Sequence, residues 1–532
     1  MLLVYPDYTD RDAVDHRSGG NYSEGLASIS AVLKQGGHDV RLLHLLYLHS
    51  EEQYMAALRE SVAAAGGYDV VGFSIRTTAL PDSKLYIEWT REVLPDALII
   101  CGSYHVTLMP FEVLSIPGVD AVCIGDGEYA ELELCDLIRD GGDYTSVESI
   151  WFKLPSPESK ASGAAADPKD PVNNIMVAQR TVVPCDGYEV VKNPVRPIFD
   201  DLERLPIPDF DLFDYANLES VKTGTAIVMM SRGCLFSCTY CGNSQFRNVY
   251  PNRKRYARFR SPENGMLYLK TLLSKYPQIK YINFRDAIFN MYPDWFDKFI
   301  DMYTAEIHLP FTCNVRFDVL DEDAVRRLAE AGCYTIDVGV ESGDEEIRRK
   351  YLKRMMTDEQ MINACAWFRK YGVRVLTYNI IGLPHEDLRR ALKTVKLNAR
   401  LQSDRIIPNI FYPYPMTELH RIAKEAGFVP DVIPPDCRVP LKQKQFPEHE
   451  VLFVEGYFMY FVKRYRRAFK HGEGTAYEKW LDFWFTGPLT PRRFLVFLSD
   501  CRRKTANFAK RVLINRMPKL YDRLRKIKNK IK

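Results

Sequence analysis

Three of the chain's twelve cysteines fall within eight residues, in the run Arg232-Gly233-Cys234-Leu235-Phe236-Ser237-Cys238-Thr239-Tyr240-Cys241-Gly242-Asn243. The spacing C-x3-C-x2-C puts three thiols on one loop, where they can converge on a common centre. Gly233 and Gly242 allow the backbone to bend tightly around that centre. A structural zinc site takes four ligands, and no fourth Cys or His follows at paired spacing. A four-iron cluster commonly takes four thiolates, so three would leave one iron open and reactive. The plainer alternatives are a zinc knuckle completed by a distant residue, or three buried thiols. The other nine cysteines are scattered singly. With a start, Met-Leu-Leu-Val-Tyr-Pro-Asp, that lacks a basic signal region, this pattern reads as reduced thiols in a cytoplasmic protein.

The cysteine loop must be held by the elements around it. It follows a strand at 226–231, the first of six, with the others at 281–285, 311–315, 335–340, 374–380 and 405–411. Helical patterns fall between them near 262–275, 293–306, 321–331, 358–371 and 386–401. Six such units fit a partial (β/α)6 barrel whose sites lie on the loops leaving each strand. Ahead of it, residues 1–145 alternate strands near 1–5, 38–44, 70–74, 98–101 and 121–124 with helical stretches near 24–35 and 53–65. That is the pattern of a Rossmann-like, doubly wound parallel sheet. Residues 146–222 read as a linker wrapped over the surface: 156–170 is rich in Ser, Ala, Lys, Asp and Pro, and 194–214 carries several prolines. The barrel spans 223–425, and 426–532 forms a mostly helical C-terminal domain. The fold class is α/β.

Composition narrows the function classes. At 532 residues, with 46% hydrophobic residues, the chain can form about three domains with their own cores. Gly and Pro total 61, which excludes collagen-like and wholly disordered classes. No apolar run reaches the roughly 20 residues of a membrane-spanning helix. The net charge of +3 is uneven: residues 491–532 hold 15 Lys/Arg against 2 Asp/Glu, a net +13 that leaves −10 for residues 1–490.

Cys234, Cys238 and Cys241, with Tyr240 before the last of them, resemble the radical S-adenosylmethionine superfamily. The resemblance implies a 4Fe–4S cluster held by these three cysteines. It also implies S-adenosylmethionine on the open iron, and reductive release of a 5′-deoxyadenosyl radical that abstracts hydrogen from substrate. Later loops follow the family in order over about 200 residues. Asn283-Phe284-Arg285-Asp286-Ala287-Ile288-Phe289 resembles F-x-D-D-x-F, with Ala287 in place of the second acid, so only Asp286 carries over as an S-adenosylmethionine contact. Asn314-Val315-Arg316 places polar side chains at the sheet edge. Gly339-Val340-Glu341-Ser342-Gly343 resembles G-x-E-S-G, and Ile381-Gly382-Leu383-Pro384-His385-Glu386 resembles the turn that supports the adenine. Tyr240, Asp286, Arg316, Glu341, Ser342, Gly382 and Leu383 are thus the implied S-adenosylmethionine contacts. Tyr412-Pro413-Tyr414-Pro415-Met416 departs from P-Y-P-G in carrying Met416, which suggests an altered turn.

The N-terminal domain resembles the cobalamin-binding domains fused to such enzymes. Its matching stretches are Val71-Gly72-Phe73-Ser74-Ile75-Arg76, the run Cys101-Gly102-Ser103-Tyr104-His105-Val106-Thr107, and Ile124-Gly125-Asp126-Gly127-Glu128. The resemblance implies cobalamin as a second cofactor, with Ser74, Arg76, Gly102, His105, Thr107, Gly125, Gly127 and Glu128 as contacts. The D-x-H-x-x-G motif that supplies a cobalt-ligating histidine elsewhere is missing, so no protein histidine is expected on cobalt.

Aromatics recur from Phe453 to Trp484 at helical spacing and are expected mostly as core against the barrel. The basic tail 502–532 carries apolar residues at helical spacing and reads first as a solvated face with a docked apolar side or a frayed terminus; peripheral contact with an anionic membrane is the second expectation and nucleic-acid binding the weakest. Together the motifs imply a cobalamin-dependent radical S-adenosylmethionine enzyme, methyltransferase-like. It would methylate an unactivated carbon of a small molecule or natural product, with electrons from an external donor such as flavodoxin or ferredoxin. The alternatives are a cobalamin-dependent cyclase or rearrangement enzyme and, in another class, a non-catalytic iron–sulfur regulatory protein.

Overall fold

The computed structural model describes residues 1–8, 19–155, 175, 177–185, 187–434, 437–517, 520 and 524. The linker stretch 156–170 and the tail beyond residue 524 lie outside the described residues. The chain forms two compact units: residues 1–314 with 330–333 and 414–417, and residues 315–329, 334–413 and 418–532.

The first unit begins with β1 (Leu2–Pro6), α1 (Glu24–Gln35), β2 (Arg41–Leu45), α2 (Glu51–Ala65), β3 (Val70–Ser74), α3 (Leu80–Val93) and β4 (Leu98–Gly102). Two one-turn helices, α4 (Tyr104–Leu108) and α5 (Pro110–Leu114), lead to β5 (Ala121–Cys123) and α6 (Glu128–Asp140). The helix ends follow local chemistry. Ser50 and Gln53 form a reciprocal capping box at the start of α2, and Gly66, at φ 81°, ends it. β1 through β5 pair in parallel. All five residues of β1 are buried, as a parallel strand covered on both faces requires. β2 and β3 flank β1, so the strand order reverses there. Ligands of such sheets sit in the crevice beyond the carboxyl ends of the strands at that reversal.

The stretch read from sequence as a surface linker contributes to this sheet. β6 (Ile150–Pro155), β7 (Thr181–Cys185) and β8 (Tyr188–Lys192) extend it antiparallel, in the order β5-β6-β8-β7. Trp151 and Phe152 are buried by this pairing, and low-complexity sequence between β6 and β7 hid the hairpin.

The first unit continues with β9 (Thr225–Val228), β10 (Ser231–Arg232), α7 (Gly242–Phe246), β11 (Arg258–Phe259), α8 (Pro262–Lys275), β12 (Tyr281–Phe284), α9 (Pro293–Glu306) and β13 (Phe311–Val315). β12 pairs in parallel with β9 on one side and β13 on the other. The second unit holds α10 (Glu322–Glu330), β14 (Cys333–Glu341), α11 (Asp358–Lys370), β15 (Arg374–Ile381), α12 (Leu388–Leu401) and β16 (Arg405–Ile410), with β15 parallel to both β14 and β16. These are the six strand–helix units that the sequence predicts.

The mostly helical end comprises α13 (Glu418–Glu425), α14 (Glu448–Phe469), α15 (Ala476–Thr486) and α16 (Arg492–Arg516). Phe453, Phe458, Phe461, Tyr465 and Phe485 form a core with α12. The expectation of an aromatic core holds for these, but Tyr460, Trp480, Phe483 and Trp484 are exposed.

Candidate active site

The cysteine loop hangs from the end of β9. Asp286, just after β12 and fully buried, accepts from the Met230 N–H at 2.9 Å and from the Ser231 hydroxyl, which fixes where the loop starts. Burial pushes this carboxyl up to about 6, against the pull of those hydrogen bonds, and its Oδ2 has no hydrogen-bond partner among the described residues. β10 then pairs antiparallel with β11, closing the loop as a hairpin. Gly233 sits at φ 82°, where a Cβ would lie 2.2 Å from the Tyr256 carbonyl oxygen, so no other residue fits without moving backbone.

Inside the hairpin Cys238 is buried, and Cys234 and Cys241 are half-buried. The Cys241 N–H donates to the Cys238 carbonyl at 3.2 Å, folding the C-x2-C segment into a turn. Arg247 pins the loop by donating to the Leu235 carbonyl at 2.9 Å and the Ser237 hydroxyl at 2.7 Å. Phe236, Phe259 and Tyr292 pack with Cys234 against Ala257, Ile288 and Met291 as an apolar wall. Tyr240 is half-buried within the same loop. All twelve cysteines are thiols. Among the described residues, no three His, Cys, Asp or Glu side chains gather around a point that could hold a single ion. Three thiols on one loop beside an apolar wall are a donor set that suits a cluster, in which each thiolate binds a different iron.

A cavity of about 360 Å³ lies at the carboxyl ends of β3, β4 and β5, beside the first turn of α1. Of the residues expected to contact cobalamin, Ser74, Gly102, Gly125, Gly127 and Glu128 line it, together with Glu24, Glu131 and Tyr104. Met229, Ser231 and Arg232, at the root of the cysteine loop, form part of the same lining. A Cβ on Gly127 would come within 3.0 Å of Glu131 Oε1. The buried Oε2 atoms of Glu128 and Glu131 have no hydrogen-bond partner among the described residues. A close-approach glycine wall and unpartnered buried acceptors fit a polar ligand in this crevice.

Arg76, His105 and Thr107 are not in that lining. Arg76 donates to the Pro6 carbonyl at 2.7 Å and lies 5.6 Å over the Tyr5 ring. The His105 ring is buried, with Nδ1 3.2 Å from the Thr77 hydroxyl and Nε2 3.4 Å from Glu112. The Thr107 hydroxyl accepts from the Gly125 N–H at 3.1 Å and so braces the loop after β5.

Sequence reasoning missed how this sheet is joined to the cysteine loop. Arg232 pairs with the buried Glu128 and lies 3.6 Å from Asp126, and Asp126 pairs in turn with Arg258 on β11. Burial raises Glu128, but the Arg232 guanidinium outweighs it and holds the carboxyl below its ordinary range. The Tyr104 ring lies against Gly242, where a Cβ would sit 2.2 Å away, and stacks on Phe246 at 4.8 Å. The only sequence signal for the ion pair was that Arg232 stands two residues before Cys234.

In the second unit, Arg316 is buried and grips Asp318 through two hydrogen bonds, at 2.9 and 2.7 Å. A β-bulge between Gly339 and Glu341 ends β14, with Glu341 at φ 65° and 3.8 Å from Arg354. The buried Ser342 hydroxyl accepts from the Asp344 N–H at 3.2 Å. Gly382, at φ 81°, and Leu383 donate their N–H groups to Glu386 at 2.6 and 3.1 Å, and Gln443 donates to the Leu383 carbonyl at 3.0 Å. The expected adenine-supporting turn is thus built around a buried carboxyl, which burial raises to about 8 despite those two bonds.

Residues 228–397 match the Radical SAM superfamily, and residues 12–135 match the B12 binding domain. An uncharacterised methyltransferase of Pyrococcus horikoshii is 25% identical over 402 residues, covering 75% of this chain and 78% of that protein. The anaerobic magnesium-protoporphyrin IX monomethyl ester cyclase of Rubrivivax gelatinosus is 23% identical over 79% of this chain and 69% of its own. Among solved structures, the radical S-adenosylmethionine methyltransferase TsrM from Kitasatospora setae, with cobalamin and a 4Fe–4S cluster bound, superposes at a TM-score of 0.60. That match has 14% identity and covers 88% of this chain and 99% of TsrM. These matches bring with them a 4Fe–4S cluster, S-adenosylmethionine and cobalamin as cofactors.

Proposed function

We propose, from the premise that this chain carries a B12-binding domain followed by a radical S-adenosylmethionine domain and so belongs with the cobalamin-dependent radical S-adenosylmethionine enzymes, that it methylates an unactivated carbon of a small molecule. When bound, the cluster with S-adenosylmethionine supplies radical-initiating one-electron chemistry, and cobalamin supplies methyl-group transfer. Cys234, Cys238 and Cys241 would hold the cluster. Ser74, Gly102, Gly125 and Gly127 would shape the cobalamin crevice, and Tyr240, Asp286, Arg316, Glu341, Gly382 and Leu383 would serve S-adenosylmethionine. An external one-electron donor such as a flavodoxin or ferredoxin completes the system.

One observation carries the reading: the cavity at the sheet crevice and the root of the cysteine loop share a wall, through Met229, Ser231 and Arg232. A substrate that must react with both cofactors has to be held in contact geometry with each. A shared wall is the arrangement that permits this. The chain's own residues contribute rigidity: Asp286 and Arg247 fix the loop, and the Arg232–Glu128 pair ties it to the sheet.

The test is anaerobic reconstitution followed by assay for 5′-deoxyadenosine, S-adenosylhomocysteine and a methylated product. Similarity to the Rubrivivax cyclase favours a second reading, ring closure or rearrangement without methyl transfer. Deoxyadenosine formed without any S-adenosylhomocysteine or methylated product would select that second reading.

A further inference from the structure

The C-terminal helices of the second unit carry an apolar stripe that is exposed among the described residues. α16 runs for 25 residues, from Arg492 to Arg516. One side of its first half is fastened to α14: the Tyr457 hydroxyl donates to the Leu495 carbonyl at 3.0 Å, and Arg492 lies 3.4 Å from Glu450. At about 100° per residue, Phe494, Phe497, Leu498, Cys501, Thr505 and Phe508 fall within about 100° of arc on a different side. Phe494, Phe497 and Phe508 are 58%, 61% and 69% exposed, and every residue from 501 to 511 is exposed. The Thr490 hydroxyl donates to the Trp484 carbonyl at 2.7 Å and Arg492 donates to the Gly487 carbonyl at 2.7 Å, joining the end of α15 to the start of α16. Trp480, Phe483, Trp484 and Leu489, on α15 and the turn before α16, are exposed as well.

Charge identifies the occupant. α16 holds eight Lys/Arg and one acid, with Arg493, Lys504 and Arg511 along one flank of the stripe and Arg502 along the other. No helix among the described residues is long and apolar enough to cross a membrane. We infer that this face docks the protein on an anionic lipid surface, with α16 lying in the interface plane, its aromatic stripe in the headgroup–acyl boundary and its basic flanks on the lipid phosphates.

The test uses the full chain and flotation with phosphatidylcholine vesicles, with and without phosphatidylglycerol. The protein should float with the anionic vesicles and not with the neutral ones, and tryptophan emission should shift to the blue on binding as Trp480 and Trp484 leave water. Replacing Phe494, Phe497 and Phe508 together by Ser should weaken partitioning at least about tenfold. Replacing Arg493, Lys504 and Arg511 by Gln should weaken it comparably and reduce its salt dependence. All six side chains are exposed, so unchanged thermal unfolding is expected of both variants. Absence of flotation, equal flotation with neutral vesicles, or an aromatic variant that binds like the parent would overturn the inference. So would capture of duplex DNA without vesicle binding.

Discussion

The Arg232–Glu128 pair is the sharpest point at which to test how the sheet holds the cysteine loop. Glu128 is 2% exposed, and its carboxylate has the Arg232 guanidinium as its charge partner. Removing one member of a buried pair costs about 3–5 kcal/mol, because the other charge is left uncompensated. Arg232 keeps Asp126 at 3.6 Å, so Glu128→Ala should sit at the low end, about 3 kcal/mol. Arg232→Met strands Glu128 in the interior and should cost about 4 kcal/mol. The double variant removes both charges, and its cost should fall short of the sum by about 2 kcal/mol or more. Paired urea unfolding of the four proteins, followed by circular dichroism, measures this. Iron content after anaerobic reconstitution adds a second readout, since Arg232 stands two residues ahead of Cys234: both single variants should load less iron than the parent. If the single costs add within about 0.5 kcal/mol, the pair does not couple sheet to loop and the reasoning fails.

Three further outcomes follow from the same geometry. Burial and the neighbouring Glu128 carboxylate raise Glu131 to about 8, so the folded chain keeps a proton that the unfolded chain releases near pH 4.5. The stability from that proton is complete at low pH and is lost progressively as pH rises to about 8, at about 1.4 kcal/mol per unit. Glu131→Gln should flatten that slope in denaturation curves taken from pH 5 to 8, and a slope identical to the parent's would rule the account out. Gly233→Ala forces a Cβ to 2.2 Å from the Tyr256 carbonyl at a positive φ, so the loop must rearrange. Reconstituted iron should drop by more than half while the far-ultraviolet spectrum holds, and normal loading would contradict the tight bend. Alanine at Cys234, Cys238 and Cys241 together should abolish both iron binding and reductive cleavage of S-adenosylmethionine. Retention of either would remove the basis of the cluster assignment.

Much of the fold was legible because hydrophobic alternation is local. The strands at Tyr281–Phe284, Phe311–Val315 and Arg374–Ile381 stand where short apolar runs between helical patterns put them. The cysteine loop was legible for the same reason, since its spacing is its signal. The β6–β8 extension was not, because low-complexity sequence separates β6 from the β7–β8 hairpin, and β6 joins that hairpin only through long-range pairing with β8. Site residues divide along the same line. Gly102, Gly125 and Gly127 act through their backbone where the motif puts them, whereas Arg76, His105 and Thr107 turn their side chains to Pro6, Thr77 and Gly125. A motif fixes where the chain passes, but the neighbours that claim a polar side chain come from far away in sequence. Arg232 and Glu128 are 104 residues apart, and no periodicity connects them.

The charge of the cavity shows why those distant partners matter. Glu24, Asp126, Glu128 and Glu131 all line it, and four ionised acids would repel any ligand carrying a phosphate. The fold does not leave them ionised alike. Burial raises Glu24 to about 7 and Glu131 to about 8, so near neutral pH Glu131 is protonated and Glu24 is protonated in part. Asp126 and Glu128 stay paired with Arg258 and Arg232. Arg260, also in the lining, adds a further guanidinium. A crevice that looks acidic by composition is thus close to neutral in practice and presents carboxyl groups able to donate as well as accept hydrogen bonds. That suits a ligand with amide and phosphate groups, such as cobalamin with its nucleotide tail. It also places the requirement for Arg232 in the chemistry of the crevice as much as in the anchoring of the loop: without that guanidinium, Glu128 would face the ligand as an unpaired buried charge.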